Sequence, residues 1–158
     1  MQTTTTRARP LPIEGTVPSL AGATTWLNSQ PLTPEGLRGN VVLVDFWTYT
    51  CINWQRTQPY IRAWAEKYKD QGLVVIGVHT PELRQERDVE NVRRYLAEHD
   101  IAYPVAIDNA FTTWNRYGND AWPAIYLIDK HGLIRLVQVG EGGYAETENA
   151  IERLLAER

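Results

Sequence analysis

The chain has 158 residues, enough for one domain built around a single core. Its 43% hydrophobic and 22% charged residues are those of a globular protein, and a net charge of −3 without any basic stretch or face argues against nucleic acid as a partner. No apolar run approaches the ~20 residues needed to cross a bilayer, and a single cysteine cannot close an internal disulfide, which fits a reducing compartment.

In chain order, residues 1–12 (MQTTTTRARPLP) carry basic residues with no apolar segment after them, so they do not read as a secretory leader. That favours the cytoplasm, or an extracytoplasmic site if an export segment has been removed. The threonine tract and Pro10, Pro12 and Pro18 predict an extended or flexible lead-in over residues 1–20, with one domain over 21–158. Val41–Trp47 is a nearly unbroken apolar run, the mark of a strand buried on both faces. From Cys51 to Tyr68 the apolar residues Ile52, Ile61, Trp64, Ala65 and Tyr68 fall near helical spacing, with Pro59 inside the segment. A second buried strand is predicted over Leu73–His79, an amphipathic helix over Asp88–His99, a short strand over Pro104–Ile107 and a short helix over Phe111–Tyr117. Two strands, Ala124–Asp129 and Leu133–Gly140, flank Asp129-Lys130-His131-Gly132, a hairpin turn in which Gly132 supplies the positive φ. An amphipathic helix over Tyr144–Glu157 closes the chain. Strand–helix–strand units followed by a hairpin give an α/β sandwich around a mixed sheet.

Cys51 stands where the first buried strand passes into the first long helix. Unpaired N–H groups and the macrodipole at a helix N-terminus favour negative charge, and thiols placed there react as thiolates. The alternative is a small, inert, buried cysteine. Asp45 is a carboxylate within the strand, suited by burial to carrying a proton, or simply a hydrogen-bonded buried group. His79 ends the second strand at the sheet edge where α/β sites gather; it can relay a proton or merely bond the neighbouring loop. His99 and His131 are expected to face solvent. Three scattered histidines and one cysteine make no metal constellation, and no cofactor is implied.

Several separated segments carry a resemblance. Asp45-Phe46-Trp47 followed by Cys51, with Pro59 eight residues after the sulfur, and Trp122-Pro123-Ala124 before a strand resemble the thioredoxin-like superfamily. Phe-Trp-Thr-Tyr-Thr-Cys-Ile-Asn (46–53), Val78-His79-Thr80-Pro81-Glu82 and Gly140-Glu141-Gly142-Gly143-Tyr144 are similar to the redoxin domains of the AhpC/TSA, TlpA and DipZ-like type. The resemblance covers residues 20–158. It implies a three-layer α/β/α sandwich with a redoxin-type insertion around 85–108, and thiol–disulfide oxidoreductase activity. It implies a catalytic pair, Cys51 and Asp45, within a substrate groove of Trp47, Thr48, Thr50, Ile52, Asn53, Trp54, Trp122 and Pro123. It also implies a cis peptide bond before Pro123, an expectation that rests on the resemblance because only ~5–6% of X–Pro bonds are cis.

The chain departs from such redoxins at Trp54, where they carry a second cysteine. A dithiol enzyme releases its mixed disulfide with that second thiol. Here release falls to an external thiol, either a small molecule or a partner's cysteine. The partners implied are protein thiols or disulfides and small-molecule thiols, acting on a monomer in which a Cys51-linked dimer is the alternative association. Two other readings stay open. One is a thioredoxin-fold binding platform whose catalysis has lapsed or was removed by substitution at position 54, with Trp47, Trp54 and Trp122 as an aromatic rim. The other is a peroxidase with one cysteine: Thr48 lies three residues before Cys51 as in peroxiredoxins, but Val44 stands where those have proline.

Overall fold

In the computed structural model, residues 9–158 are described. Seven strands form one mixed sheet: β1 (Gly15–Thr16), β2 (Thr25–Leu27), β3 (Val41–Trp47), β4 (Leu73–His79), β5 (Val105–Ile107), β6 (Ala124–Ile128) and β7 (Leu133–Val139), in the order β1-β7-β6-β3-β4-β5-β2. β3, β4 and β5 are parallel, joined by crossovers, whereas β6 runs antiparallel to β3 and forms the expected hairpin with β7. Gly132 takes φ +82° in that hairpin, as the turn requires. The helices are α1 (Pro34–Leu37), α2 (Ile52–Lys67), α3 (Val89–Glu98), α4 (Thr112–Arg116) and α5 (Tyr144–Ala156).

All seven residues of β3 are buried. Alternation along the strand sends Val41, Leu43 and Trp47 to one face, with Trp54, Ile61 and Trp64 of α2, Val92 and Leu96 of α3, and Ile151 and Leu154 of α5. Val42, Val44 and Phe46 go to the other, packed with Trp114 of α4 and with Leu37 of α1. Two helical layers thus sandwich the sheet. The strand and helix bounds match the sequence reading to within a residue or so at each end. The exceptions are β1, β2 and α1, which sequence pattern missed because they are two to four residues long. Residues 1–8 of the expected lead-in lie outside the described residues. Within the rest of it, β1 pairs with β7 and Leu20 is buried.

The segment between β4 and α4 holds a 3-10 turn (Arg84–Arg87), α3 and β5. It is the insertion expected around 85–108, and it folds back over the β3–α2 junction. α2 runs through Pro59, which is exposed. Among the described residues, no helix is long and apolar enough to cross a membrane.

Candidate active site

Cys51 caps the N-terminus of α2, with extended backbone (φ −72°, ψ 111°) and no side-chain cap of its own. Its N–H bonds the Thr48 carbonyl and its carbonyl accepts the Gln55 N–H, so the thiol is held at the first turn of a sixteen-residue helix. The side chain is half-buried, and Sγ lies 3.9 Å from the Trp122 carbonyl oxygen. The Trp122–Pro123 bond is cis, as expected. Trp122 is fixed in turn: its indole Nε1 donates to the Thr80 carbonyl at 2.8 Å, and its ring tilts against Trp114 at 4.3 Å. Thr80 Oγ1 donates to Asp108, a buried carboxylate that also takes the N–H groups of Thr113 and Trp114 at the start of α4.

One turn behind Cys51, Trp54 is fully buried rather than presented to solvent. It stacks on Trp47 (ring centroids 4.4 Å apart, 28° between planes), and its Nε1 donates to Asp45 Oδ2 at 2.8 Å. Asp45 faces α2 because it shares the inward parity of Leu43 and Trp47 on β3. Burial pushes its carboxyl up to about 8, opposed by the Trp54 hydrogen bond. Room for the Trp47 ring comes from β4. Gly77 lies opposite Asp45, and a Cβ there would stand 2.7 Å from Trp47 Nε1 and 3.2 Å from the Tyr103 ring. The aromatic rim expected from Trp47, Trp54 and Trp122 is therefore corrected. Trp47 and Trp54 are both core, packed into the face between sheet and α2, and of the three only Trp122 is partly exposed. Ile52 (61% exposed) and Asn53 lie open beside the thiol, and Thr50 is also exposed.

His79 sits at the end of β4, fully buried, edge-on to Trp47 at 4.7 Å and stacked on Tyr49 at 5.8 Å. Its Nε2 lies 3.3 Å from Thr48 Oγ1. Burial pushes it down to about 4, opposed by the charge of Glu86. The Thr48 hydroxyl also bonds Glu86. His79 and Glu86 thus both lie on the Thr48 hydroxyl. His99 and His131 are exposed, as expected. The Gly140–Tyr144 segment packs along α2: Tyr144 stacks on Tyr60 at 3.7 Å and 6°, and Glu141 pairs with Arg56 at 3.3 Å.

The profile of the AhpC/TSA family matches residues 16–137. The chain belongs to the AhpC/TSA family. It is 49% identical over 144 residues to protein DipZ of Mycobacterium tuberculosis, an alignment that covers 89% of this chain and 21% of DipZ. The chain thus spans about a fifth of that relative's length. It is 31% identical over 141 residues to the thiol-disulfide oxidoreductase YkuV of Bacillus subtilis, covering 89% of this chain and 95% of YkuV. Among solved structures, the oxidised form of a thioredoxin-like protein superposes with a TM-score of 0.81 at 32% identity, covering 90% of this chain and 95% of that one. The fold is thioredoxin-like, and the domain is of the thiol–disulfide oxidoreductase type.

Sequence reasoning missed two residues of this AhpC/TSA domain. Glu86 sits in a run of charged residues, Glu82 to Asp88, that reads as a solvated surface, yet it is fully buried. Asp108 follows a short strand and gives no signal beyond its proximity to the Thr112 helix. Both belong to loops whose packing is set by the tertiary fold, which period and composition do not encode.

Proposed function

We propose that the domain performs thiol–disulfide exchange through Cys51 alone. The supporting observation is the pairing of a half-exposed thiol at the N-terminus of α2 with a neighbouring turn in which Trp54 is buried and bonded to Asp45. The Cys51 thiolate attacks one sulfur of a substrate disulfide. The Cys51–substrate S–S bond forms as the original S–S bond breaks, and the second substrate sulfur leaves and takes up a proton. With indole at position 54 there is no internal thiol to break the mixed disulfide. An external thiolate therefore attacks it, freeing one sulfur as a thiol and forming a new S–S bond to itself, and a further equivalent of that thiol completes the reduction. The family's chemistry supports thiol and disulfide substrates. The open Ile52 and the partly exposed Trp122 beside Sγ suit an extended protein segment.

Trp54→Cys tests the reading. A second thiol one helical turn from Cys51 is expected to bring dithiol reductase activity and a 51–54 disulfide, while Cys51→Ser in the same background abolishes both. If Trp54→Cys folds and gives neither, Cys51 is not the nucleophile of a redoxin site.

The burial of Trp54 against Trp47 and Asp45 supports a second reading, a binding platform with lapsed catalysis. The two diverge in Cys51→Ser: a platform keeps its affinity for a reduced or alkylated peptide partner, whereas an exchange enzyme loses capture of a disulfide substrate.

A further inference from the structure

The buried carboxylate of Glu86 accepts five hydrogen bonds, and three come from the turn that delivers Cys51. Oε2 takes the Thr48 hydroxyl, the Thr50 hydroxyl at 2.8 Å and the Thr50 N–H at 3.3 Å; Oε1 takes the N–H groups of Glu82 at 3.1 Å and Leu83 at 2.6 Å. The carboxylate therefore ties the insertion to the 48–50 turn immediately before the N-cap of α2. It also fixes a proton. An ionised carboxylate only accepts, so the single Thr48 hydroxyl proton points to Glu86, and the Thr48 oxygen must accept from His79 Nε2–H. That leaves His79 Nδ1 as a buried, unprotonated nitrogen without a partner.

We propose that Glu86 is a positioning residue for Cys51, holding the 48–50 turn so that the thiol sits on the N-terminal turn of α2 and, through Thr48, holding His79 as the Nε2–H tautomer. The proposal rests on Cys51 being the nucleophile, which labelling of the unmodified protein tests separately. A carboxylate with no other ion nearby among its bonded partners, buried in a loop, has little reason to be there as a surface charge. Its bonds are charge-assisted and roughly twice as strong as neutral ones.

Glu86→Gln in the full chain is the test, with circular dichroism to establish folding. A carboxamide that keeps its oxygen on the Glu82 and Leu83 N–H groups presents its NH2 to Thr48. The Thr48 hydroxyl then accepts from Gln and donates to His79, so the imidazole is expected to switch to the Nδ1–H tautomer, read from its ring 15N shifts. Iodoacetamide labelling of Cys51 at pH 7 is expected to slow by about tenfold, the scale of one hydrogen bond to a charged group. The sign is diagnostic. Removing a negative charge alone favours the thiolate and speeds labelling, whereas releasing the turn from the helix terminus slows it. Labelling that accelerates or stays within about twofold of the parent overturns the proposal, as does an unchanged His79 tautomer. If Glu86→Gln does not fold, Thr50→Ala removes the hydroxyl bond to the turn and leaves Glu86 its bonds from Thr48, the Thr50 N–H, Glu82 and Leu83. Slowed labelling there supports the proposal, and an unchanged rate overturns it.

Discussion

Asp45 carries the sharpest consequence of a single substitution in this site. A carboxyl buried under α2 has one hydrogen bond, from Trp54 Nε1, and its second oxygen has no partner. Burial wins over that one bond, so its folded-state value stands at about 8 against 3.8 for the free group. The folded state therefore holds a proton that the unfolded chain has lost at neutral pH. The unfolded chain binds fewer protons throughout the window from about pH 4 to pH 8, so this group lowers stability as pH rises through it. His79 acts in the opposite sense: held down to about 4 by burial, it takes away stability as pH falls from 6.5 toward 4. Between pH 6.5 and 8 Asp45 acts without that opposition. Urea unfolding across that interval is expected to show stability falling as pH rises, and Asp45→Asn, which keeps an acceptor for Trp54, is expected to flatten the slope and gain a few kcal/mol at pH 8. A slope unchanged in Asp45→Asn would show that the carboxyl is already ionised in the folded protein.

At the scale of elements, the junction of β3 and α2 makes the site, and most of that junction is legible in the sequence. The apolar run Val41–Trp47 marks a strand buried on both faces, and helical spacing after Cys51 marks the helix, so the thiol's place at the N-terminus follows from period alone. Trp54 illustrates where such reading stops. Its position one turn after Cys51 puts it on the same helix face, but whether that face meets solvent or sheet depends on how α2 lies across β3. Glu86 is the converse case: a charge that composition assigns to the surface is drawn inside because the 48–50 turn and the Glu82–Leu83 backbone offer it five donors. Short elements were likewise invisible. β1 has two residues and lies at the sheet edge, where pairing rather than propensity defines it. Its neighbourhood is held by Arg135, which is 7% exposed. The guanidinium bonds Asp129 in the hairpin turn and Glu157 at the end of the last helix, each at 3.0 Å, and the carbonyls of Leu11 and Pro12. Breaking a buried pair from one side leaves the partner charge uncompensated. Arg135→Met is expected to cost about 3 kcal/mol in denaturant unfolding while leaving the Cys51 labelling rate of the folded protein unchanged. A loss under ~1 kcal/mol would place the clamp among ordinary surface ion pairs.

Across the whole molecule, two helical layers cover a mixed sheet, and the chemistry gathers at one end of it. Cys51 at the start of α2, His79 at the end of β4 and Trp122 just before β6 come from three separate stretches of chain. Two buried carboxylates brace the arrangement. Glu86 holds the 48–50 turn, and Asp108 holds Thr80, whose carbonyl fixes Trp122 beside Sγ. The insertion that supplies Glu86 and the β5–α4 loop that supplies Asp108 therefore serve the site as well as the fold. These contacts hold Cys51 at the start of α2, and the proposed exchange depends on the reactivity of its thiol. The most direct measurement is the rate of iodoacetamide labelling of Cys51 at pH 7, by mass spectrometry, in the folded protein and in the same protein unfolded by urea. An activated thiol at a helix N-terminus labels faster in the folded protein, even though it is half-buried there. Labelling that proceeds only once the chain is unfolded would mean that packing has silenced Cys51, contradicting thiol exchange and leaving the binding platform as the function.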